Sequence, residues 1–316
     1  MTDTPTVLPS GTTQDVTSTE DIHNETFAAR HLHDAGLTLV ATPIGNLGDF
    51  SPRAAEALRS ADLILCEDTR VTTRLLQHYN IRSATEALHD HNEERRIPGL
   101  IRRMHEGAHI ALVSDAGMPL MSDPGFRLMR AAIAENIPVT AVPGANAALT
   151  ALVLSGLPPH PFTFLGFPPP RQSARQAAFQ TMRAAELAGF RSTLIWHEAP
   201  HRIAEMIDDL ATVFGETRQM AVARELTKKF EEVIRGTTSE LAVRCREVPP
   251  RGEITVLLAP PDEASAPTED QLDEQLTTAL QSHSVRDAAQ LVMNATGLPR
   301  KTVYARALEL AAQKRN

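Results

Sequence analysis

The run Ser114-Asp115-Ala116-Gly117-Met118-Pro119-Leu120-Met121-Ser122-Asp123-Pro124-Gly125 holds the residue types best suited to chemistry. It directly follows the apolar segment 109–114 and is made of small and turn-forming residues. Small residues let main chain approach a bound molecule that larger side chains would block. In an open α/β sheet, ligands sit beyond the carboxyl ends of the strands. A plain strand-to-helix turn has the same composition, so both readings stand at this point. Two further loops repeat the pattern, Thr42-Pro43-Ile44-Gly45-Asn46-Leu47-Gly48 and Pro143-Gly144-Ala145-Asn146-Ala147-Ala148. Three such loops at strand ends would converge on one pocket lined by backbone groups. Neither G-x-G-x-x-G nor G-x-x-x-x-G-K-[ST] occurs in the chain. Pro43 also removes an amide that a pyrophosphate site would use, so dinucleotide and nucleoside-triphosphate sites lose their main support.

A second group of residues offers acid, base and phosphate chemistry. In Glu67-Asp68-Thr69-Arg70, Asp68 is a candidate proton acceptor and Arg70 a partner for phosphate or for the acid itself. A capped turn with a surface ion pair accounts for the same residues. His89-Asp90-His91-Asn92-Glu93-Glu94 has paired histidines but no further ligands at the distances of a metal site, so no metal is expected. His91 is a candidate base or RNA contact, and a helix N-terminal cap is the plain alternative. Arg224-Glu225-Leu226-Thr227-Lys228-Lys229 suits RNA or a partner subunit, or simply a solvated strand end.

The elements that position these loops follow from hydropathy. Segments 37–42, 62–66, 109–114 and 138–142 are short apolar runs expected as buried strands. Between them, Ser51-Pro52-Arg53 opens a helix with a cap and a first-turn proline, and helices are expected at 97–106 and near 126–135. Alternation of this kind implies a largely parallel sheet covered on both faces. A proline cluster over 158–170 marks a domain junction. Beyond it, strands at 192–196, 219–223, 231–235 and 253–258 flank a helix at 201–213, with spacing that favours mixed or antiparallel pairing. The organisation expected is therefore a disordered tail at 1–36, α/β domains at 37–157 and 158–260, a linker at 261–270 and a helical segment at 271–316.

Composition bounds the answer. With 42% hydrophobic and 22% charged residues over 316 positions, the chain suits a globular protein with room for two domains. No apolar run approaches the roughly 18 residues of a membrane span, so no membrane partner is expected. The first residues lack the basic start and apolar middle of a secretory signal. Cys66 and Cys245 stand far apart and each alone, which favours a reducing cytoplasm. The net charge of −8 argues against a broad basic footprint on bare nucleic acid. Part of it lies in the first 36 residues, where six acids face Arg30 alone. At the other end, Arg300, Lys301, Arg306, Lys314 and Arg315 against Glu309 suggest a helix-turn-helix-like RNA clamp, although Val303, Leu308, Leu310 and Ala311 equally fit a packing helix.

The runs TPIGNLGDFSPRA, LILCEDTR, ALHDHNEE, ALVSDAGMPLMSDPG, VPGANAALTAL, EAPHR and ARELTKKFEE resemble, in order and spacing, the ribosomal RNA small-subunit 2′-O-methyltransferase family. That family is a branch of the tetrapyrrole (precorrin) methylase superfamily, and the resemblance spans about residues 37–259. It implies a two-domain α/β fold with the cofactor cleft between the domains, S-adenosylmethionine as cofactor, and a homodimer. It further implies a decoding-region cytidine of 16S rRNA, within the small ribosomal subunit, as acceptor, with no DNA partner. Carried over position by position, it places cofactor contacts at Pro43 and Ile44, at Asp115, Gly117 and Met118, at Asn146 and Ala147, and at Ala223 and Ile254. Asp68, Arg70 and His91 fall on the acceptor side as catalytic candidates. The chain departs from the family with Met118 where threonine is usual, with GAN where proline commonly follows the glycine, and with Trp196-His197 in place of an aromatic pair. Two rival functions remain at this level, methylation of a tetrapyrrole acid and a non-catalytic ribosome-assembly role.

Overall fold

The computed structural model describes residues 36–261, 269–296, 298 and 300–313. The expected tail, apart from Gly36, and most of the expected linker lie outside the described residues.

Strands β1 (Gly36–Val40), β2 (Leu63–Cys66), β3 (Thr85–Ala87), β4 (His109–Val113) and β5 (Val139–Val142) form one sheet in the order β3-β2-β4-β1-β5. Every pairing in it is parallel. Residues of β1, β2 and β4 are buried throughout, as continuous apolar strands must be when helices cover both faces. Side chains divide between the faces with period two. Leu37, Leu39, Leu63, Leu65, Ile110 and Leu112 pack on one face, and Val40, Ile64, Cys66, Ala111 and Val113 on the other.

Helices α1 (Pro52–Ser60), α2 (Thr69–His78), α3 (Asp90–His105), α4 (Phe126–Ala134) and α5 (Ala147–Ser155) follow successive strands. The Ser51 side chain accepts from the Ala54 amide and caps α1. Helix α3 starts at Asp90 rather than near 97, because the Asn92 side chain accepts from the His89 amide and closes its first turn. Pro98 is accommodated inside it. The early start places Glu93 in the core, where its Oε1 accepts from the Leu128 amide at 2.9 Å. Gly125, the residue before α4, has no side chain to cap with, so Glu93 satisfies that helix end from a distance.

Strands β6 (Phe162–Phe164), β7 (Thr193–Glu198), β8 (Gln219–Arg224), β9 (Glu232–Thr237) and β10 (Ile254–Leu258) form a second sheet in the order β6-β7-β10-β8-β9. Only β6–β7 is parallel, so the sheet is mixed, as the short spacing predicted. Helices α6 (Gln172–Leu187), α7 (Ile203–Phe214) and α8 (Thr238–Glu247) belong to this half. Phe179, Met206, Leu210 and Leu241 from them pack with Trp196, Val222 and Val256. The fully buried Arg175 of α6 pairs with Asp209 of α7 at 2.7 Å, and Gln172 and Gln176 also donate to that carboxylate.

Helix α5 follows the first sheet in sequence but packs on the second. Its Ala148, Ala151 and Leu152, with Ile44, meet Ile195, Ala221, Ala223 and Leu257 in one buried cluster. The segment AALTALVLS is apolar on nearly every side, with Ala148, Ala151 and Leu152 turned into this cluster and Leu149, Val153 and Leu154 left exposed.

At the C-terminus α9 (Glu269–Ala279), α10 (Val285–Thr296) and α11 (Arg300–Gln313) share a small core of Leu272, Leu276, Val292, Val303 and Ala307. Arg306 is held by Asp273 and Glu309 at 2.6 Å each. Its charge is neutralised within the bundle, so the expected basic surface shrinks to Arg300 and Lys301, while Lys314 and Arg315 lie outside the described residues. Among the described residues no helix is long and apolar enough to cross a membrane.

Candidate active site

The three small-residue loops meet. Beyond β1, Thr42 exchanges backbone hydrogen bonds with Gly117, at 2.9 and 3.1 Å. The Thr42 hydroxyl donates to the Ser114 carbonyl at 3.1 Å, and the Ser114 hydroxyl donates to the Gly117 carbonyl at 2.9 Å. Gly117 has φ +86°, and a Cβ there would lie 3.2 Å from Ile44 and 3.4 Å from the Ala145 carbonyl. Only glycine gives both that backbone conformation and that clearance. The loop before α5 is equally close, since a Cβ on Gly144 would lie 2.8 Å from that of Ala41. The Asn146 side chain caps α5 by accepting from the Leu149 amide at 3.0 Å.

These loops form one wall of a cleft of about 750 Å³, its open mouth included. The other wall comes from the second sheet, where β7 ends against the start of β10 and the register pairs His197 with Thr255 and Glu198 with Ile254. Ile44, Gly117, Met118, Asn146, Ala147 and Ile254 line the cleft, six of the nine expected cofactor positions. Pro43 sits one residue outside it. Ala223 lies behind the wall, buried in the cluster with Ile44 and paired in register with Thr255. Asp115 acts between loops instead, its Oδ1 accepting from the Asp68 amide at 3.1 Å. Burial raises the Asp115 carboxyl above its ordinary range.

The cleft also takes residues that were not among the expected cofactor positions. Phe164, His197, Glu253 and Thr255 line it from the second sheet, and Met121 and Asp123 from the far end of the loop after β4. His197 Nδ1 lies 3.1 Å from the Thr255 hydroxyl, with the Phe164 and Phe167 rings against the imidazole. Burial lowers the His197 pKa, which favours the neutral ring. Among the described residues the lining holds the carboxylates Asp123 and Glu253 and no lysine or arginine. A site of this make-up suits a ligand bearing positive charge and contacted mostly through backbone.

Asp68, Arg70 and His91 stand outside the lining. Asp68 caps α2, accepting from the Arg70 amide at 2.8 Å and from its guanidinium at 2.6 to 3.1 Å. Those bonds hold the Asp68 carboxyl down at about 2, which makes it a weak proton acceptor. The Arg70 side chain is 87% exposed, open to an outside anion. His91 is exposed in the first turn of α3, with its ring 6.1 Å from that of His89. The Thr227 turn closes over the first loop. Thr227 Oγ1 accepts from the Asn46 amide at 3.1 Å, and Lys228, paired with Glu225 and Glu253, passes so close to Gly45 that a Cβ there would lie 2.4 Å from it.

Residues 36–242 match the model of the tetrapyrrole (corrin/porphyrin) methylases, and residues 266–311 match that of the RsmI C-terminal HTH domain. The chain is 46% identical over 281 residues to a protein of Micromonospora olivasterospora named ribosomal RNA small subunit methyltransferase I, covering 87% of this chain and 88% of that one. It is likewise 46% identical over 273 residues to a Xylella fastidiosa protein of the same name, covering 85% and 97%. Among solved structures, it shares its fold with the uroporphyrin-III C-methyltransferase of Thermus thermophilus complexed with S-adenosylhomocysteine. That match has a TM-score of 0.50 at 18% identity and covers 70% of this chain and 96% of that one. Converging loops from a parallel sheet, a mixed sheet across the cleft from them and a match over most of the chain give one conclusion: this protein belongs to the tetrapyrrole methylase family.

Proposed function

We propose that this protein transfers the methyl group of S-adenosylmethionine to a ribose 2′-hydroxyl of small-subunit ribosomal RNA, at a decoding-region cytidine of 16S rRNA. The observation that carries the donor half is the cleft itself, with backbone-rich loops on one side, acids in its lining and no basic side chain. The acceptor half is supported by relatives at 46% identity that are named for the small ribosomal subunit's RNA.

Ile44, Gly117, Met118, Asn146, Ala147 and Ile254 would hold the donor, with Asp115 and Thr42 fixing the loops that carry them. Once bound, the donor supplies a methyl group already activated by its sulfonium, a reactivity intrinsic to the cofactor. What the protein adds is placement of the acceptor oxygen in line with that methyl and exclusion of competing water. Arg70, exposed and oriented by Asp68, is suited to an RNA phosphate near the cleft. His91 is a candidate contact further out on the same side. The net charge of −8 favours the assembled subunit over naked RNA, because protein and folded-RNA contacts then share the binding. A cytoplasmic homodimer completes the reading.

The test is tritiated-methyl transfer with three acceptors in parallel: small subunits lacking the modification, free 16S rRNA, and a uroporphyrinogen-type tetrapyrrole. Label in subunits is the expected result. Label in the tetrapyrrole alone, or donor binding with no transfer to either RNA substrate, would overturn the reading.

A further inference from the structure

Transfer to a ribose hydroxyl needs a proton acceptor, and the acids first in view are poorly placed for it. Asp68 is spent on Arg70, and Asp115 is tied to the Asp68 amide. Asp123 differs from both. It lines the cleft, it is partly buried, and among the described residues its carboxylate makes no hydrogen bond or ion pair. An acid that lines the cleft with no protein partner is left free to engage a bound group.

The backbone around it points the same way. Leu120 and Ser122 adopt φ +71° and +75°, left-handed conformations that non-glycine residues avoid, and Gly125 follows at +110°. Such strain persists only where surrounding structure imposes it, and it gathers at sites of function. Here Gly125 lies against Leu112, where a Cβ would fall 2.3 Å from its side chain, and Glu93 pins the next turn through the Leu128 amide. The loop is thus anchored just beyond Asp123.

Building on the methyl-transfer reading above, the geometry points to Asp123 as the group that accepts the proton of the acceptor ribose hydroxyl. In that step the 2′-oxygen-to-methyl bond forms and the methyl-to-sulfur bond breaks, leaving its electron pair on sulfur. The hydroxyl proton ends on an Asp123 oxygen, from which solvent at the cleft mouth removes it.

The environment tunes the group for this work. Burial, with the nearby Glu67 and Asp115 charges, pushes the Asp123 carboxyl up to about 6, close to the range in which a general base is most effective. The ionisable groups around it are Glu67 and Asp115, whose charges act on it from outside the cleft lining, and His197 and Glu253, which line the cleft with it.

The experiment compares wild type, Asp123→Asn and Asp123→Glu by methyl transfer to small subunits and by calorimetric binding of S-adenosylhomocysteine. For Asp123→Asn the expected result is a fall in kcat of about 100-fold or more, the scale of general-base catalysis, with S-adenosylhomocysteine affinity kept within threefold. The wild-type pH profile is expected to show an acid limb near pH 6, and Asp123→Glu is expected to recover part of the rate and to move that limb. Asp123→Asn activity within threefold of wild type would overturn the proposal. So would an activity loss matched by lost S-adenosylhomocysteine binding, which would make Asp123 a donor contact, or an acid limb unmoved in Asp123→Glu. A wild type that binds S-adenosylhomocysteine but labels no RNA would instead bring down the methyl-transfer reading, and this inference with it.

Discussion

Gly117→Ala is the sharpest perturbation of the cleft, because one methyl group touches two loops at once. The backbone at φ +86° costs alanine about 1–2 kcal/mol relative to glycine. The added Cβ would sit 3.2 Å from Ile44 Cγ2 and 3.4 Å from the Ala145 carbonyl oxygen. Ile44 is 5% exposed and wedged against Ala148 and Ala223, so it has little room to yield, and overpacking of this kind costs about 1–3 kcal/mol. The total is about 2–5 kcal/mol, and local separation of the three loops relieves part of it. If about 1.4–2.8 kcal/mol is expressed as disordering of the binding loops, donor affinity falls by about 10- to 100-fold. Isothermal calorimetry with S-adenosylhomocysteine measures this, and a thermal melt run alongside reports the share taken by global stability. Affinity within twofold of wild type together with an unchanged melt would refute the claim that Gly117 is where the loops meet.

Three further outcomes follow from the same structure. Asp209→Ala leaves the fully buried Arg175 without its main counter-ion and should destabilise by about 3–5 kcal/mol in chemical denaturation, whereas a loss under 1 kcal/mol would show that Glu205 or solvent compensates. Asp123 keeps its proton in the folded chain up to about pH 6, against an ordinary 3.8, so between those values the folded state holds a proton the unfolded state has released, and its contribution to stability is lost as pH rises. Converted at 1.36 kcal/mol per pH unit that is about 3 kcal/mol, which solvent at the cleft mouth screens to about 1–2. Asp123→Asn should therefore melt a few degrees higher than wild type at pH 8 and no higher at pH 4, and equal melts at both would contradict the burial argument. Arg70→Ala should weaken binding to RNA and reduce its salt slope by about one while leaving S-adenosylhomocysteine affinity intact, and an unchanged slope would remove Arg70 from the phosphate contacts.

Much of the first half was legible because its signals are local. Continuous apolar runs such as LILC and HIALV, bounded by turn formers, read as strands covered on both faces, and the loops after them fall at the cleft by the rule for parallel sheets. The short β3, whose residues TEA carry no apolar pattern, gave no such signal. Its place depends on pairing with β2 across 20 residues or so. The start of α3 was legible only as the plain alternative for the 89–94 run, a helix cap; the cap is His89, with Asn92 in the first turn, and Glu93 is buried for a reason 35 residues away. In the second half, the wall of His197, Thr255 and Glu253 arises from antiparallel register between β7 and β10, strands 58 residues apart at the paired positions His197 and Thr255. No spacing within either strand reveals that. Asp123 lay within the loop singled out from sequence, but its lack of a partner and the left-handed residues beside it exist only in three dimensions. For Glu67-Asp68-Thr69-Arg70 the plain alternative read from sequence, a capped turn with a surface ion pair, is what the structure shows, and that pairing makes Asp68 a poor base.

The central claim is methylation of a ribose oxygen, and the linkage at the labelled nucleotide tests it most directly. Small subunits lacking the modification are labelled with tritiated S-adenosylmethionine and the purified protein, and their 16S rRNA is then hydrolysed in alkali. A 2′-O-methyl group blocks cleavage of its own phosphodiester, so label recovered in an alkali-resistant dinucleotide with cytidine on its 5′ side is the predicted result. Label released entirely in mononucleotides would place the methyl on a base and contradict the account.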